Sequence, residues 1–245
     1  MNKEISIDKT TFDTLIYFCF GFTLDENYDL IIDKVIQKAF FDATNQGAFN
    51  TLIPKDAKDK LQSIKKKCCS DLKNEIKKYK RHGKKFGEWH KFVCNDIICK
   101  YFEGINTPTE VFSYGNAQKV LNMTLKYLYM LSQVLGYENV NEELVGILRE
   151  ISADSRYLHI PIDRYIIDEL WNSTSTLLPL KEDEHKVRDR QYAHPSEFVK
   201  SWSTWSDTDY NNTLERMDLR GEEPLEWEEK HWIEAAKNRR KKTSD

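Results

Sequence analysis

The chain has 245 residues, 40% of them apolar, enough for one substantial core or two small ones. No apolar run reaches the roughly 18 residues of a membrane span, and residues 1–8 lack the basic-then-apolar order of a secretory leader. A cytoplasmic protein without membrane association is the expectation. The net charge of −3 hides an asymmetry: between Lys55 and Lys91 there are 14 Lys/Arg against 5 Asp/Glu. Such a block reads either as a polyanion-binding face or as a solvated helix surface. The 5 cysteines are odd in number and lack framework spacing, so they read as free thiols.

Nearly every periodic segment repeats at helical spacing, and only 9 glycines and 6 prolines interrupt the chain. An all-α fold is therefore predicted. Thr11–Phe22 reads as a short apolar helix or a buried strand. Asn27–Thr44 carries a stripe through Leu30, Ile31, Val35, Ala39 and Phe40. Pro54 to about Tyr79 has one narrow stripe (Leu61, Ile64, Cys68, Leu72, Ile76), and its other faces are largely lysine. It reads as a surface helix with a basic outer side, on which Lys66, Lys67, Lys77 and Lys78 are candidate phosphate contacts. Trp89–Tyr101 reads as a buried helix.

Thr107-Pro108-Thr109-Glu110 has the form of a capping box, predicting a very short helix to Phe112. Ser113-Tyr114-Gly115 then reads as a tight turn, with Gly115 in a backbone region closed to other residues. A long helix follows, ending near Gly136. Further helices are expected over Asn139–Ile151, over Pro161–Trp171 with Asp163 in the first turn, over Ser206–Met217 and over Pro224–Arg240. Asn172–Pro195 reads as an irregular loop, and Ser196–Trp205 as a short helix.

Two residues carry candidate chemistry. Lys119 sits near a helix start, where dipole and burial disfavour the ammonium and free the amine for attack on carbon. The alternative is a lysine snorkelling from a half-buried helix. Asp163 can stabilise a developing cation or move a proton, or simply cap its helix; the two roles are compatible. The turn offers backbone N–H groups as an anion site, with Tyr114, Gly115, Asn116, Ala117 and Gln118 around it. Trp171, Trp202 and Trp205 are candidate walls of a base-stacking pocket, or ordinary packing. Cys and His spacings do not form a metal site, and no nucleotide-triphosphate loop, Ser/His/Asp pattern or HExxH occurs. No cofactor is expected.

Together these residues resemble the helix-hairpin-helix DNA glycosylase superfamily, in particular bacterial proteins with an 8-oxoguanine DNA glycosylase fold. Gly115, Ala117 and Lys119 match the spacing of that family's hairpin glycine, small residue and catalytic lysine. Pro161-Ile162-Asp163 matches its proline and branched residue before the catalytic aspartate. The departures are Ala117 where the family has a second glycine, the 44-residue span from Lys119 to Asp163, and the basic arm. Residues 137–156 would then form an inserted helix.

The resemblance implies one all-α domain over residues 1–245, a two-lobed helical bundle with a hairpin element over 107–135. It implies damaged duplex DNA as partner, a base flipped between lobes, Lys119 attacking the sugar C1′, and Asp163 stabilising the cationic state. Other readings are a non-catalytic helical nucleic-acid-binding module and a helical interaction protein, for example in phage defence.

Overall fold

Steps of three and four between apolar residues become helices in the computed structural model. It describes residues 9–24, 26–44, 55–103, 112–135, 140–174, 178–181, 198–219 and 221–242. Among these the fold is all-α. The helices are α1 (Lys9–Phe20), α2 (Tyr28–Thr44), α3 (Lys55–Lys77), α4 (Phe86–Phe92), α5 (Lys100–Phe102) and α6 (Tyr114–Val134). They continue with α7 (Glu142–Ala153), α8 (Arg164–Thr174), α9 (Asp207–Arg216) and α10 (Pro224–Lys242). A π-helical stretch, Val93–Cys99, joins α4 to α5 without a break. Its wide turns keep Val93, Cys94 and Ile98 buried while Asp96 stays exposed.

Helix α6 is the centre. It packs on α2, α7, the π stretch and a 3-10 turn at Trp202–Thr204. Its buried side includes Val120, Leu121, Leu125, Leu128 and Leu131, which join one cluster running from Ile16 to Trp227. Burial of that stripe at about 25 cal/mol per Å² is the dominant driving force. Helix α3 shows its expected narrow stripe, with Leu61, Cys68, Leu72 and Ile76 at 4%, 0%, 0% and 0% exposure.

The start of α6 departs from the sequence reading. Gly115 is not a turn residue: its φ is not positive, and it occupies the second position of the helix. Ser113 is the N-cap, accepting from Asn116 N–H, and Asn116 Oδ1 accepts from Ser113 N–H to close a capping box. Gly115 is needed for space instead. A Cβ there would lie 1.8 Å from the backbone oxygen of Trp202. The chain at 202–205 crosses directly over the helix start, and Gly115 N–H donates to the Trp205 carbonyl at 3.0 Å.

The short helix expected over 108–112 falls mostly on residues 104–111, outside the described residues. Phe112 itself is not helical and stacks on Phe102 at 3.9 Å. Of the helix expected over Ser196–Trp205, Phe198 is helical and Trp202–Thr204 forms a 3-10 turn, with an extended stretch between them. Val199 pairs antiparallel with Leu180, and Lys200 N–H donates to the Pro179 carbonyl at 2.9 Å. The loop expected over 172–195 begins as the end of α8, and residues 182–197 lie outside the described set.

Gly115→Ala tests the crossing. Its methyl group meets backbone atoms, so the 202–205 segment must move, and a loss of about 2–3 kcal/mol is expected in urea denaturation. Gly146→Ala on α7 is the control. Nothing lies within 4 Å of a Cβ there. Helix propensity alone then makes that variant more stable, by about 0.5–1 kcal/mol.

Candidate functional site

The site is built where α6 meets the extended segment before α8. Gln118 binds that segment in both directions: its side-chain N–H donates to the Ile162 carbonyl at 3.1 Å, and its Oε1 accepts from Ile162 N–H at 3.4 Å. One turn later, Asn122 Nδ2 donates to the Ile160 carbonyl at 3.0 Å. The match is geometric. Four residues of helix rise about 6 Å, and two residues of extended chain rise about 6.6 Å. Pro161 between them has no N–H to satisfy.

This clamp is braced from behind. The Asn122 amide nitrogen also lies 3.0 Å from Gln118 Oε1 and 2.7 Å from the Tyr210 hydroxyl. Asn122 Oδ1 meets His90 Nε2 at 2.9 Å. His90 packs against His159 with ring centres 4.5 Å apart and stacks on Tyr210 at 5.5 Å. Burial drives the His90 imidazole well below its ordinary value, and the neighbouring His159 adds to the push. Burial lowers His159 to about 4. Both rings are therefore neutral near neutral pH.

The residue after each clamped position carries the charge. Lys119 follows Gln118, and Asp163 follows Ile162. Lys119 Nζ lies 3.4 Å from Asp163 Oδ2, with side-chain exposures of 10% and 14%. Asp163 is the N-cap of α8 rather than its third residue. Its Oδ1 accepts from Tyr165 N–H at 2.8 Å and Ile166 N–H at 3.1 Å. Its Oδ2 also accepts from the Trp232 indole N–H at 3.2 Å. Lys119 Nζ sits over the Trp202 ring, 4.6 Å from its centre.

A second pair lies two turns along the same face of α6. Lys126 bonds Glu228 of α10, and Glu228 is 2% exposed. Burial pushes Glu228 up to about 7; Lys126 opposes the shift, and the nearby negative charge of Asp163 adds to it. Glu228 and Trp232 are four residues apart, so one face of α10 serves both pairs. Trp232 also meets Tyr165 edge-on at 5.1 Å, and His231 pairs with Glu169 at 3.1 Å. The last helix thus closes one side of the site.

Of the expected residues, Lys119, Asp163 and Trp202 meet. The others are placed differently. Tyr114, Asn116, Ala117 and Gln118 are 5%, 5%, 0% and 0% exposed, and Gly115 is buried with them. The N–H groups of Asn116 and Ala117 go to Ser113, and that of Gly115 to Trp205. The helix start is therefore not a free anion site, because its donors are already used inside the protein. Tyr114, expected in an exposed turn, points inward with its hydroxyl 3.3 Å from His90 Nδ1.

Trp205 is fully buried, and its indole N–H donates to the Lys200 carbonyl at 3.1 Å. Trp171 is 7% exposed and stacks on Phe198. Both are core residues rather than pocket walls.

Lys66 and Lys67 on α3, and Lys78 just after it, are exposed. Lys77 instead ties α3 to α2, 2.7 Å from Asp29 and over the Tyr28 ring. That pairing raises the Lys77 ammonium above its usual range, chiefly through the Asp29 hydrogen bond.

Trp232, Lys126 and Glu228 were not singled out from sequence as site residues. The apolar-acidic spacing Trp227, Glu228, Trp232 on a polar helix is the one signal that would have marked them. Comparison with family models, curated proteins and solved structures finds no match. No helix among the described residues is long and apolar enough to cross a membrane.

The buried titrating groups oppose one another in acid. A lowered histidine pKa leaves the unfolded chain to take the proton first, so stability falls as pH drops from about 6.5 to about 4. A raised Glu228 pKa works the other way: the folded state holds the proton, so stability falls as pH rises from 4.5 to about 7. Glu228→Gln removes the second effect. Its stability is expected to drop by roughly 3 kcal/mol between pH 6.5 and pH 4, more steeply than the parent, in urea titrations at a series of pH values.

Proposed function

We propose that the protein is a DNA N-glycosylase, with Lys119 as nucleophile and Asp163 as its acid–base partner. The observation that supports this reading is the Lys119–Asp163 contact at 3.4 Å, half-enclosed by Trp202 and Trp232. It joins the two short motifs on which the glycosylase resemblance rests.

The reaction follows from the residues. Asp163 Oδ2 takes a proton from the Lys119 ammonium. The free amine attacks the sugar C1′ of an extruded nucleotide, the C1′–N bond breaks, and the base leaves with the bond's electron pair and then takes a proton. Opening of the sugar ring converts the new C–N bond to a Schiff base, the intermediate from which strand cleavage can follow. The negative charge on Asp163 lies where positive charge develops on the sugar. Trp202 offers a π face beside the amine, able to stack a flipped base.

Affinity for the duplex is assigned to Lys66, Lys67 and Lys78, which contact phosphate without reading sequence. The start of α6 takes no part in that binding. An oxidised base is the substrate class that the resemblance implies.

Borohydride trapping on duplexes carrying 8-oxoguanine or an abasic site tests the chemistry. The parent chain is expected to give a covalent adduct, Lys119→Gln none, and Asp163→Asn an adduct formed at least about 100-fold more slowly. If the parent gives no adduct, or Lys119→Gln retains it, the pair is only a structural tie between α6 and α8. Binding should weaken with salt, and each lysine removed from α3 should reduce the slope of log K against log salt by about 1.

A further inference from the structure

Helices α2 and α3 flank a cavity of about 710 Å³ that is open to solvent on one side, within the size range of small-molecule sites. It shares no lining residue with the Lys119–Asp163 site. Its floor is set inside the protein: Phe40, Thr44 and Cys69 are 4%, 2% and 8% exposed.

The two ends of the cavity differ in charge. At one end Asp33 is neutralised. Gln37 Nε2 donates to its Oδ2 at 2.8 Å, and Lys73 Nζ lies 3.8 Å from Oδ1. At the other end stand Lys65 and Lys66. Neither has a carboxylate within 4.0 Å among the described residues. Lys65 is half-buried and donates to the Thr44 hydroxyl at 3.4 Å, and that hydroxyl is already spent donating to the Phe40 carbonyl at 2.6 Å. Burial pulls the Lys65 ammonium below its usual value. A half-buried ammonium with no countercharge is unfavourable unless an anion completes it. Phe41 adds the second feature. It lines the cavity and is 58% exposed, a large aromatic ring left in water at the edge of a cationic site.

From this juxtaposition we infer that the α2–α3 cavity binds a mononucleotide, with its phosphate between Lys65 and Lys66 and its base against Phe41. Two ammonium groups match a phosphate dianion in charge. A base laid on Phe41 covers exposed aromatic surface and needs no particular base edge, so stacking is tolerant of base identity. The buried floor suits a small molecule entering between two helices. A duplex backbone stays outside, on the exposed lysines, and shares only Lys66 with the mononucleotide phosphate. The Cys69 thiol, held up at about 12 chiefly by burial, stays protonated and packs without reacting.

Calorimetric titration of the full chain with the four nucleoside monophosphates, adenosine and inorganic phosphate tests the assignment. Saturable binding of at least one monophosphate is expected with a Kd below about 1 mM, at least about 10-fold tighter than adenosine or phosphate alone. Lys65→Met should weaken it at least about 10-fold and Phe41→Ala about 3-fold or more, while Asp163→Asn leaves it unchanged. Circular dichroism confirms that each variant keeps its helices. The assignment is overturned if no monophosphate saturates, if adenosine binds as well as its monophosphate, or if neither cavity variant changes affinity. Binding of a single-stranded oligonucleotide without binding of mononucleotides also overturns it.

Discussion

The two-way hydrogen bonding of Gln118 to the backbone of Ile162 is the constraint on which the rest of the site depends. A buried amide makes a costly error if left unpaired, about 1–3 kcal/mol per group, so the extended chain cannot slide along α6 without breaking several bonds at once. Asn122 repeats the grip one turn later on Ile160. Two grips fix both position and direction. The register of residue 163 against residue 119 follows from them, and Lys119 does not have to find its partner through a flexible side chain alone.

Close approach of backbone supplies the opposite wall. Because Gly115 has no side chain, the Trp202 carbonyl can sit over the first turn of α6. The following turn of α6 carries Lys119, and the Trp202 ring comes to rest 4.6 Å from its ammonium. Gly115 is therefore important for a reason other than the one its sequence context implies. The motif Gly-x-Ala-x-Lys reads as a hairpin whose glycine bends the chain and frees N–H groups. In the fold, the glycine is helical and its N–H is bonded to Trp205. Sequence spacing is the same in both cases, so spacing alone cannot separate a glycine needed for φ from one needed for room.

The same distinction explains which parts were legible. Helices α2, α3, α6, α7 and α9 follow the apolar period closely, because each must bury one stripe on a shared core. Lys119 and Asp163 could be paired across 44 residues because each lies in a short local pattern. Trp232 and Glu228 lie in a helix whose composition is mostly charged, 69 and 102 residues from Asp163 and Lys126. No local rule links such positions; they meet only through the packing of α10 on α8 and α6. Tyr114 departs from its sequence reading for the converse reason. A polar-tipped aromatic near a turn looks exposed in sequence, but Tyr114 packs on His90 and Tyr210, residues distant in the chain.

The charge arrangement bears on whether Lys119 can leave its pair. A buried ion pair broken from one side usually leaves an uncompensated charge, at a cost of several kcal/mol. Asp163 is protected from that outcome. With the Lys119 amine withdrawn, the carboxylate keeps three donors: two backbone N–H groups at the start of α8 and the Trp232 indole. The helix dipole adds favourable potential at the same end. Lys119 for its part sits over the face of Trp202, which stabilises cationic charge. The pair is thus built so that its two members are each satisfied by other groups, which lowers the cost of separating them. Among the described residues Lys126 and Glu228 are tied chiefly to one another, at 12% and 2% exposure. Of the two parallel ion pairs on α6, the first is the one that can open, and the second anchors the helix that closes over it.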